Sequence, residues 1–265
     1  MKAVRMYAPR DLRVEEVDIP SYETDECLIK VMAVGVCGSD IPRVNQYGAH
    51  VSPIIVGHEF GGQIVKTGDK VTKFKAGDRV TCPPLIPCFK CKYCEMGEYS
   101  LCEDYDYYGS RRDGAFAQYI AVKEGNLLKV DDKVSYEDAA TTDPCANALH
   151  SMMIGEFKPG DSVCVYGAGP IGLFAVQYAK IKGASKIIAV DVWEEKLEMA
   201  KKNGADVVIN SMKEDAAAKV MEATGGNGSD IVIDYSGAPI CQKAAINSAA
   251  KLEISYFSAT SLIVI

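Results

Sequence analysis

Short alternating runs of apolar and polar residues, separated by turn residues, dominate the chain up to about residue 130. Residues 26–31 and 77–81 are two such runs, and Gly and Pro punctuate the sequence between them. Alternation with a period of two indicates a half-buried strand, and no helical period competes with it here. The pattern therefore predicts an all-β, barrel-like domain.

The pattern changes at Ser135, which is a plausible helix N-cap because Asp138 follows three residues later, as in a capping box. A helix is predicted to start there. Asp143-Pro144 is predicted to interrupt it, since proline lacks a backbone donor and clashes with the preceding turn. We place the domain junction in this region, with domains at 1–149 and 150–265.

Beyond residue 161 the apolar runs follow a strand, helix, strand order, which indicates a parallel α/β sheet. The predicted elements are the strands 162–166, 186–191, 207–209 and 230–234 and the helix 171–182. Residues 252–265 are apolar and β-prone, so they are expected to need a partner strand.

Composition limits the function classes. The chain has 265 residues and a formal net charge of -7, which argues against a nucleic-acid or anionic-membrane partner. Neither a signal peptide nor a membrane-spanning segment is visible, so a cytoplasmic location is expected. The chain has ten cysteines, which could suggest disulfides, but thiols stay reduced in that compartment. The four that crowd between Cys88 and Cys102 are therefore interpreted as metal ligands.

Four of these cysteines form a C-x2-C-x2-C-x7-C cluster within a lobe predicted at residues 82–104. This spacing is typical of a closed tetrahedral zinc site with a structural role. Free thiols and an iron–sulfur cluster are the alternatives. The predicted ligands are Cys88, Cys91, Cys94 and Cys102.

A second candidate metal site combines the thiol of Cys37 with the imidazole of His58 and the carboxylate of Glu59, and the hydroxyl of Ser39 lies beside the thiol. A thiolate and an imidazole suit zinc, and a site with few protein ligands leaves a position for substrate. The alternative is that Cys37 is a small buried apolar residue.

A G-x-G-x-x-G motif follows the strand 162–166 and opens a helix, the context of a dinucleotide-binding turn. Asp191 ends the next strand, where a carboxylate can accept hydrogen bonds from ribose hydroxyls and repel a 2′-phosphate. NAD is therefore predicted rather than NADP; a glycine-rich turn beside a surface aspartate is the alternative. The predicted cofactor-binding residues are Gly167, Gly169, Pro170, Ile171, Gly172 and Asp191.

Together these motifs resemble the zinc-dependent medium-chain alcohol dehydrogenases, and especially their polyol dehydrogenase branch, whose members act on substrates such as sorbitol and galactitol 1-phosphate. The resemblance rests on segments 37–43, 47–50, 57–60 and 109–114, and it extends to about residue 250. It implies a mixed fold with a GroES-like β-barrel domain and a Rossmann domain that is truncated at its C-terminus relative to the family.

The resemblance also implies residue roles. Cys37 and His58 would bind the catalytic zinc, Glu59 would be a ligand or an exchangeable neighbour, and Asp143 would supply a further ligand unless it only caps the helix. Ser39 would relay the proton. His50 would continue that relay or contact a substrate hydroxyl, unless it is an ordinary loop residue.

Two arginines and one further histidine are weaker candidates for a functional role. Arg111 and Arg112 could hold a substrate phosphate, although paired arginines more often form a solvated face. His150 is interpreted as structural.

The predicted function is zinc-dependent oxidation of a secondary hydroxyl of a polyol or a sugar-alcohol phosphate, with hydride transfer to NAD. The implied cofactors are one catalytic Zn²⁺, one structural Zn²⁺ and NAD, and a homo-oligomer is expected by resemblance. The alternative is a catalytically impaired remnant that binds zinc and dinucleotide without turnover. A reductase acting on activated alkenes is disfavoured, because such relatives usually lack both zinc sites.

Overall fold

The computed structural model describes residues 1–250 and the backbone of a strand at Ser255–Phe257. Its contacts divide the chain into one unit, Met1–Asp143, and a second unit that begins at Pro144. The sequence pattern placed the junction between residues 149 and 150. None of the helices that the structure describes is both long enough and apolar enough to span a membrane.

The first unit is built from short, mainly antiparallel strands, as the alternating pattern predicted. One sheet has the order β2-β1-β4, another has the order β10-β6-β5-β3-β9, and β7 pairs with β8. The strands are β1 (Lys2–Ala8), β2 (Asp11–Glu16), β3 (Glu26–Gly35), β4 (Ile54–Ile55), β5 (Glu59–Thr67), β6 (Arg79–Thr81), β7 (Leu85–Ile86), β8 (Asp106–Tyr107), β9 (Tyr119–Lys123) and β10 (Leu128–Lys129).

The core of this unit lies inside the five-stranded sheet, where inward side chains of β3 and β5 such as Ile29, Phe60 and Ile64 are buried to 1% exposure or less. Burial of this kind stabilises the unit through the area that is removed from water. Two very short helices, α1 (Asp40–Pro42) and α2 (Lys92–Glu95), lie in the loops that carry the candidate metal ligands.

The two helices that follow are α3 (Tyr136–Ala140) and α4 (Thr142–Ile154). The predicted capping box is present, because the Ser135 hydroxyl accepts a hydrogen bond from the Asp138 N–H at 2.9 Å. The predicted interruption at Asp143-Pro144 is wrong in position, since the break lies at Thr141. Pro144 falls in the first turn of α4, where the N–H groups have no intrahelical partner and a proline costs little.

The second unit has a five-stranded, fully parallel sheet in the order β13-β12-β11-β14-β15. Its central strand β11 is completely buried, and small side chains such as Ala175 and Ala179 bring the first helix close to the sheet. The elements are β11 (Ser162–Tyr166), α5 (Pro170–Ile181), β12 (Lys186–Asp191), α6 (Glu194–Lys202), β13 (Val207–Asn210), α7 (Ala216–Ala223), β14 (Ile231–Asp234), α8 (Pro239–Ser248) and β15 (Ser255–Phe257).

The partner strand that was expected for the apolar C-terminal segment is β14, which pairs in parallel with β15. The rest of that prediction lies outside the described residues. The strand order reverses direction between β11 and β14, so the loops after these strands meet at the carboxyl edge of the sheet, where open α/β sheets bind ligands.

Candidate metal and dinucleotide sites

The candidate catalytic metal site lies where β3 ends and its antiparallel neighbour β5 begins. Gly35, the last residue of β3, pairs with Glu59, the first residue of β5. This register brings Cys37, just after β3, beside His58, just before β5. The ligand atoms of Cys37, His58 and Glu59 lie within 4.8 Å of one another. His58 and Glu59 are buried, with exposures of 2% and 8%.

The three groups suit a cation electrostatically. Burial lowers the pKa of His58, which keeps its imidazole neutral and able to coordinate. Burial raises the pKa of Cys37 and also that of Glu59, and the negative charges of Asp143 and Asp40 raise the pKa of Glu59 further. A bound divalent cation would stabilise the thiolate and the carboxylate, so the donor set fits zinc.

Asp40 is the functional residue that the sequence analysis missed. Its side chain is 4% exposed. One carboxylate oxygen accepts a hydrogen bond from the N–H of Cys37 at 3.1 Å, and the other lies 3.5 Å from Nδ1 of His58. The same carboxylate thus contacts both candidate ligands, and its approach to Nδ1 leaves Nε2 of His58 to face a metal.

Backbone packing fixes the loop that carries His58. The segment before it pairs with a distant segment: Gly114 N–H donates to Ile55 O at 2.7 Å, and Ala115 N–H donates to Gly57 O at 2.9 Å. A Cβ on Gly114 would lie 2.1 Å from the carbonyl oxygen of Gly57, which no relaxed structure allows. The ring of Tyr107 covers the imidazole edge to face, with centroids 5.6 Å apart.

The two residues predicted to relay the proton, Ser39 and His50, have different hydrogen-bond partners. Ser39 donates a hydrogen bond to Cys37 Sγ at 3.3 Å, so its hydroxyl lies at the metal site. His50 instead pairs through Nδ1 with the Ser110 hydroxyl at 2.8 Å. Of the residues that the structure describes, Asp143 is outside the three-ligand group, although it is close enough for its charge to affect His58 and Glu59.

The four clustered cysteines converge as their spacing predicted. Their sulfurs lie within 4.8 Å of one another, and Cys88 Sγ is 3.9 Å from Cys94 Sγ. Tetrahedral coordination with zinc–sulfur bonds of about 2.3 Å requires sulfurs about 3.8 Å apart, so the geometry fits zinc. Backbone N–H groups of Glu103 and Cys94 lower the pKa of the Cys91 thiol to about 6, which favours the thiolate that a metal needs.

The glycine-rich turn has the shape that its motif predicted. Gly167 has φ +90°, and a Cβ on Gly172 would lie 2.0 Å from Gly167 O, so the first glycine allows the turn and the third allows close packing of α5. Within the part of the chain that the structure describes, a Cβ on Gly169 would meet nothing within 4 Å. That open space lies at the N-terminus of α5, where no side chain caps the free N–H groups, and a pyrophosphate fits there.

Asp191 organises this turn. One of its carboxylate oxygens accepts from the N–H of Ala168 at 2.8 Å, and the other accepts from the N–H of Val192 at 2.7 Å. Lys196 Nζ lies 3.9 Å from the carboxylate, so this part of the turn also carries a cation that the sequence analysis missed. Asp191 and Lys196 line a cavity of about 300 Å³ together with Gly167 and Gly169.

Arg111 and Arg112 both have protein partners. The guanidinium group of Arg111 lies 4.6 Å from the ring centre of Tyr105. Arg112 forms ion pairs with Glu26 at 3.7 Å and with Asp106 at 3.5 Å. Phosphate recognition by this pair stays a prediction.

Comparisons with known proteins agree with this geometry. A family model described as "Alcohol dehydrogenase GroES-like domain" matches residues 23–132, and one described as "Zinc-binding dehydrogenase" matches residues 170–252. The chain is 38% identical to sorbitol dehydrogenase of Bacillus subtilis (strain 168) over 254 residues, which cover 94% of this chain and 72% of that protein.

Two solved structures extend the likeness. The crystal structure of galactitol-1-phosphate dehydrogenase from Escherichia coli matches with a TM-score of 0.93 and 35% identity, over 100% of this chain and 78% of that one. A zinc-binding dehydrogenase of Sinorhizobium meliloti 1021, bound to NADP, matches with a TM-score of 0.94 and 29% identity, over 100% and 79% of the two chains.

Proposed function

Since the chain belongs to the zinc-dependent medium-chain alcohol dehydrogenases, we propose that it oxidises a secondary hydroxyl of a polyol or a polyol phosphate and transfers the hydride to NAD. The observation that carries this proposal is the buried convergence of Cys37, His58 and Glu59. The similarity to a sorbitol dehydrogenase and to a galactitol-1-phosphate dehydrogenase supports this substrate class.

The chain's own residues would act as follows. Cys37, His58 and Glu59 would hold the catalytic zinc, with Asp143 as a further candidate ligand. When bound, the metal supplies Lewis acidity that lowers the pKa of the substrate hydroxyl. The Ser39 hydroxyl lies beside Cys37 and would accept the proton that the substrate releases.

The four-cysteine cluster would hold a second zinc with a structural role, because all four positions of a tetrahedral shell are protein sulfurs. His50 is proposed either to pass the proton on towards solvent or to bind a substrate hydroxyl. Its hydrogen bond to the buried Ser110 fixes the orientation of its ring. The iron–sulfur alternative is less favoured, since the sulfur spacing matches a single tetrahedral ion.

The glycine-rich turn would bind the dinucleotide pyrophosphate at the N-terminus of α5, with Gly167, Gly169, Pro170, Ile171 and Gly172 forming the cradle. Asp191 would accept the ribose hydroxyls, which favours NAD. Lys196 brings a positive charge to the same cavity, so NADP is the competing cofactor that the assay must include.

The test combines metal analysis with turnover. Purified protein should contain two zinc ions per chain and reduce NAD with sorbitol, galactitol 1-phosphate or 2,3-butanediol, and NADP should serve less well. Cys37→Ser should remove one zinc and the activity. Cys145→Ser, at an exposed cysteine outside both clusters, should change neither. A wild-type chain with one zinc, or with dinucleotide binding but no turnover on any of these alcohols, would refute the proposal.

The position of the Glu59 carboxylate can be tested through its neighbour. A Cβ on Gly35 would lie 2.6 Å from a carboxylate oxygen of Glu59 and 3.2 Å from its Cβ. We therefore expect Gly35→Ala to displace this carboxylate and to lower kcat by about 10-fold or more, while the four-cysteine cluster keeps its zinc. Steady-state kinetics and zinc content measure the two effects.

Gly38→Ala is the matched control for this substitution, because a Cβ at Gly38 would meet none of the described residues within 4 Å. It lies in the same loop and adds the same methyl group. If Gly35→Ala and Gly38→Ala lowered kcat equally, the effect would come from stiffening the loop and not from the displaced carboxylate.

A further inference from the structure

Arg43 is the charged side chain that completes the surroundings of Asp40. Its guanidinium Nη1 donates a hydrogen bond to Asp40 Oδ1 at 3.2 Å. This is the same carboxylate oxygen that lies 3.5 Å from Nδ1 of His58. The side chains of Arg43, Asp40 and His58 are 18%, 4% and 2% exposed, so the series runs inward from the edge of the unit to the candidate metal ligand.

The local backbone accounts for this placement. Asp40 begins α1, and Arg43 follows three residues later, so the two side chains share one face of a single turn. The chain then continues as a π-helical turn, Arg43–Tyr47, which the N–H of Gly48 closes on Arg43 O at 2.8 Å. Such turns are rare in proteins and concentrate at functional sites.

A carboxylate in this setting needs a fixed orientation. Asp40 must direct one oxygen at the N–H of Cys37 and the other at His58, and a small rotation about its χ2 angle would lose both contacts. A guanidinium group is planar and presents its donors in a rigid fork, so it restrains a carboxylate more closely than an ammonium group does.

We infer that Arg43 is a positioning residue of the metal site: by holding Asp40, it fixes the backbone of Cys37 and the imidazole of His58 in the geometry that binds the metal. The inference rests on the proposed function, because it assumes that Cys37 and His58 are ligands. Outer partners of metal ligands typically change metal affinity by about 10- to 100-fold when removed.

Metal affinity tests the inference directly. Zinc competition against a chromophoric chelator should show that Arg43→Gln weakens the catalytic site by about 10-fold or more. Arg43→Lys should recover only part of the affinity, since it keeps the charge and loses the fork. Arg13→Gln is the matched control, because Arg13 is 54% exposed and pairs with Asp11 on the surface. An affinity of Arg43→Gln within twofold of the wild type would overturn the inference.

Cobalt substitution separates positioning from general destabilisation. The visible absorption of Co²⁺ at the catalytic site, obtained as the difference from a His58→Ala protein that retains only the cysteine cluster, should shift in Arg43→Gln. The spectrum of the cysteine cluster should not change. If Arg43→Gln lost stability in urea unfolding but kept the Co²⁺ spectrum and the zinc affinity, Arg43 would be a structural residue only and the inference would be wrong.

A double-mutant cycle shows whether Arg43 acts through Asp40. Asp40→Asn alone should weaken zinc binding, and adding Arg43→Gln should weaken it little further, because the carboxylate that Arg43 orients is already gone. Additive losses would contradict the inference. The proposed function fails separately, if the wild-type protein itself binds no metal at Cys37 and His58.

Discussion

His58→Ala is expected to lower kcat/KM for polyol oxidation by on the order of 1,000-fold, because Lewis-acid stabilisation is worth several kcal/mol and each 1.4 kcal/mol is a factor of ten. The loss should be as large for 2,3-butanediol as for sorbitol, since the imidazole would hold the metal and not the distinguishing parts of the substrate. Dinucleotide binding should persist, because the glycine-rich turn belongs to the other unit.

The measurement pairs steady-state kinetics with zinc content and with NADH binding by fluorescence. His150→Ala serves as the control, since His150 is an exposed residue of α4 and the sequence indicated a structural role. We expect it to retain the wild-type zinc content. Turnover by His58→Ala within tenfold of the wild type would mean that His58 is an ordinary buried histidine.

Gly172→Ala should destabilise the second unit and abolish dinucleotide binding with it. The added Cβ would lie 2.0 Å from Gly167 O and 3.2 Å from a methyl carbon of Val165, so α5 would have to move away from β11. Overpacking a well-packed site costs about 1–3 kcal/mol and occasionally more. A backbone carbonyl cannot yield as a side chain can, so the upper part of that range is expected.

Gly169→Ala separates stability from binding. Its Cβ would meet no atom of the described residues within 4 Å, and its φ of -75° suits any residue. The free energy of unfolding should therefore stay within about 0.5 kcal/mol of the wild type. NADH affinity should still fall about tenfold, because the methyl group occupies the space that the pyrophosphate needs. Urea unfolding and NADH titration of both variants decide this; equal NADH affinity in Gly169→Ala and wild type would place the pyrophosphate elsewhere.

The parts of the molecule that the sequence predicted well are those in which the interacting residues are close together along the chain. Cys88 to Cys102 lie within one loop, so their spacing alone determines that the sulfurs can meet. The turn at Gly167 is equally local, because strand, glycines and helix are consecutive along the chain. For this reason the convergence of the four cysteines and the shape of the glycine-rich turn could be predicted from the sequence.

Tertiary pairing decided the features that were missed or misplaced. Asp40 is separated from His58 by a long stretch of chain, and only the pairing of β3 with β5 brings the two side chains together. Its position three residues after Cys37 was the available signal, because an aspartate there can accept a bond from the Cys37 N–H. Lys196 is five residues after Asp191, and it reaches the same cavity only through the first turn of α6.

The break between α3 and α4 shows a limit of a different kind. A proline removes one backbone N–H donor, but the free-energy cost of that loss depends on how far the proline lies from the start of the helix. The start of α4 is set by neighbouring hydrogen bonds, such as the one that the Thr142 hydroxyl donates to Ala139 O at 2.8 Å. With α4 beginning at Thr142, Pro144 needs no partner for its nitrogen.

The close packing of Gly57, Gly109 and Gly114 limits which residues can vary when substrate specificity evolves. Each of these positions excludes even a methyl group because another backbone or aromatic ring occupies the space. A saturation-mutagenesis experiment should therefore find that all three positions are intolerant, although Gly57 is distant in sequence from Gly109 and Gly114. Substitutions that alter substrate specificity are therefore expected at side chains beside the candidate metal site, such as Tyr107, which packs on His58. They are not expected at these three glycines.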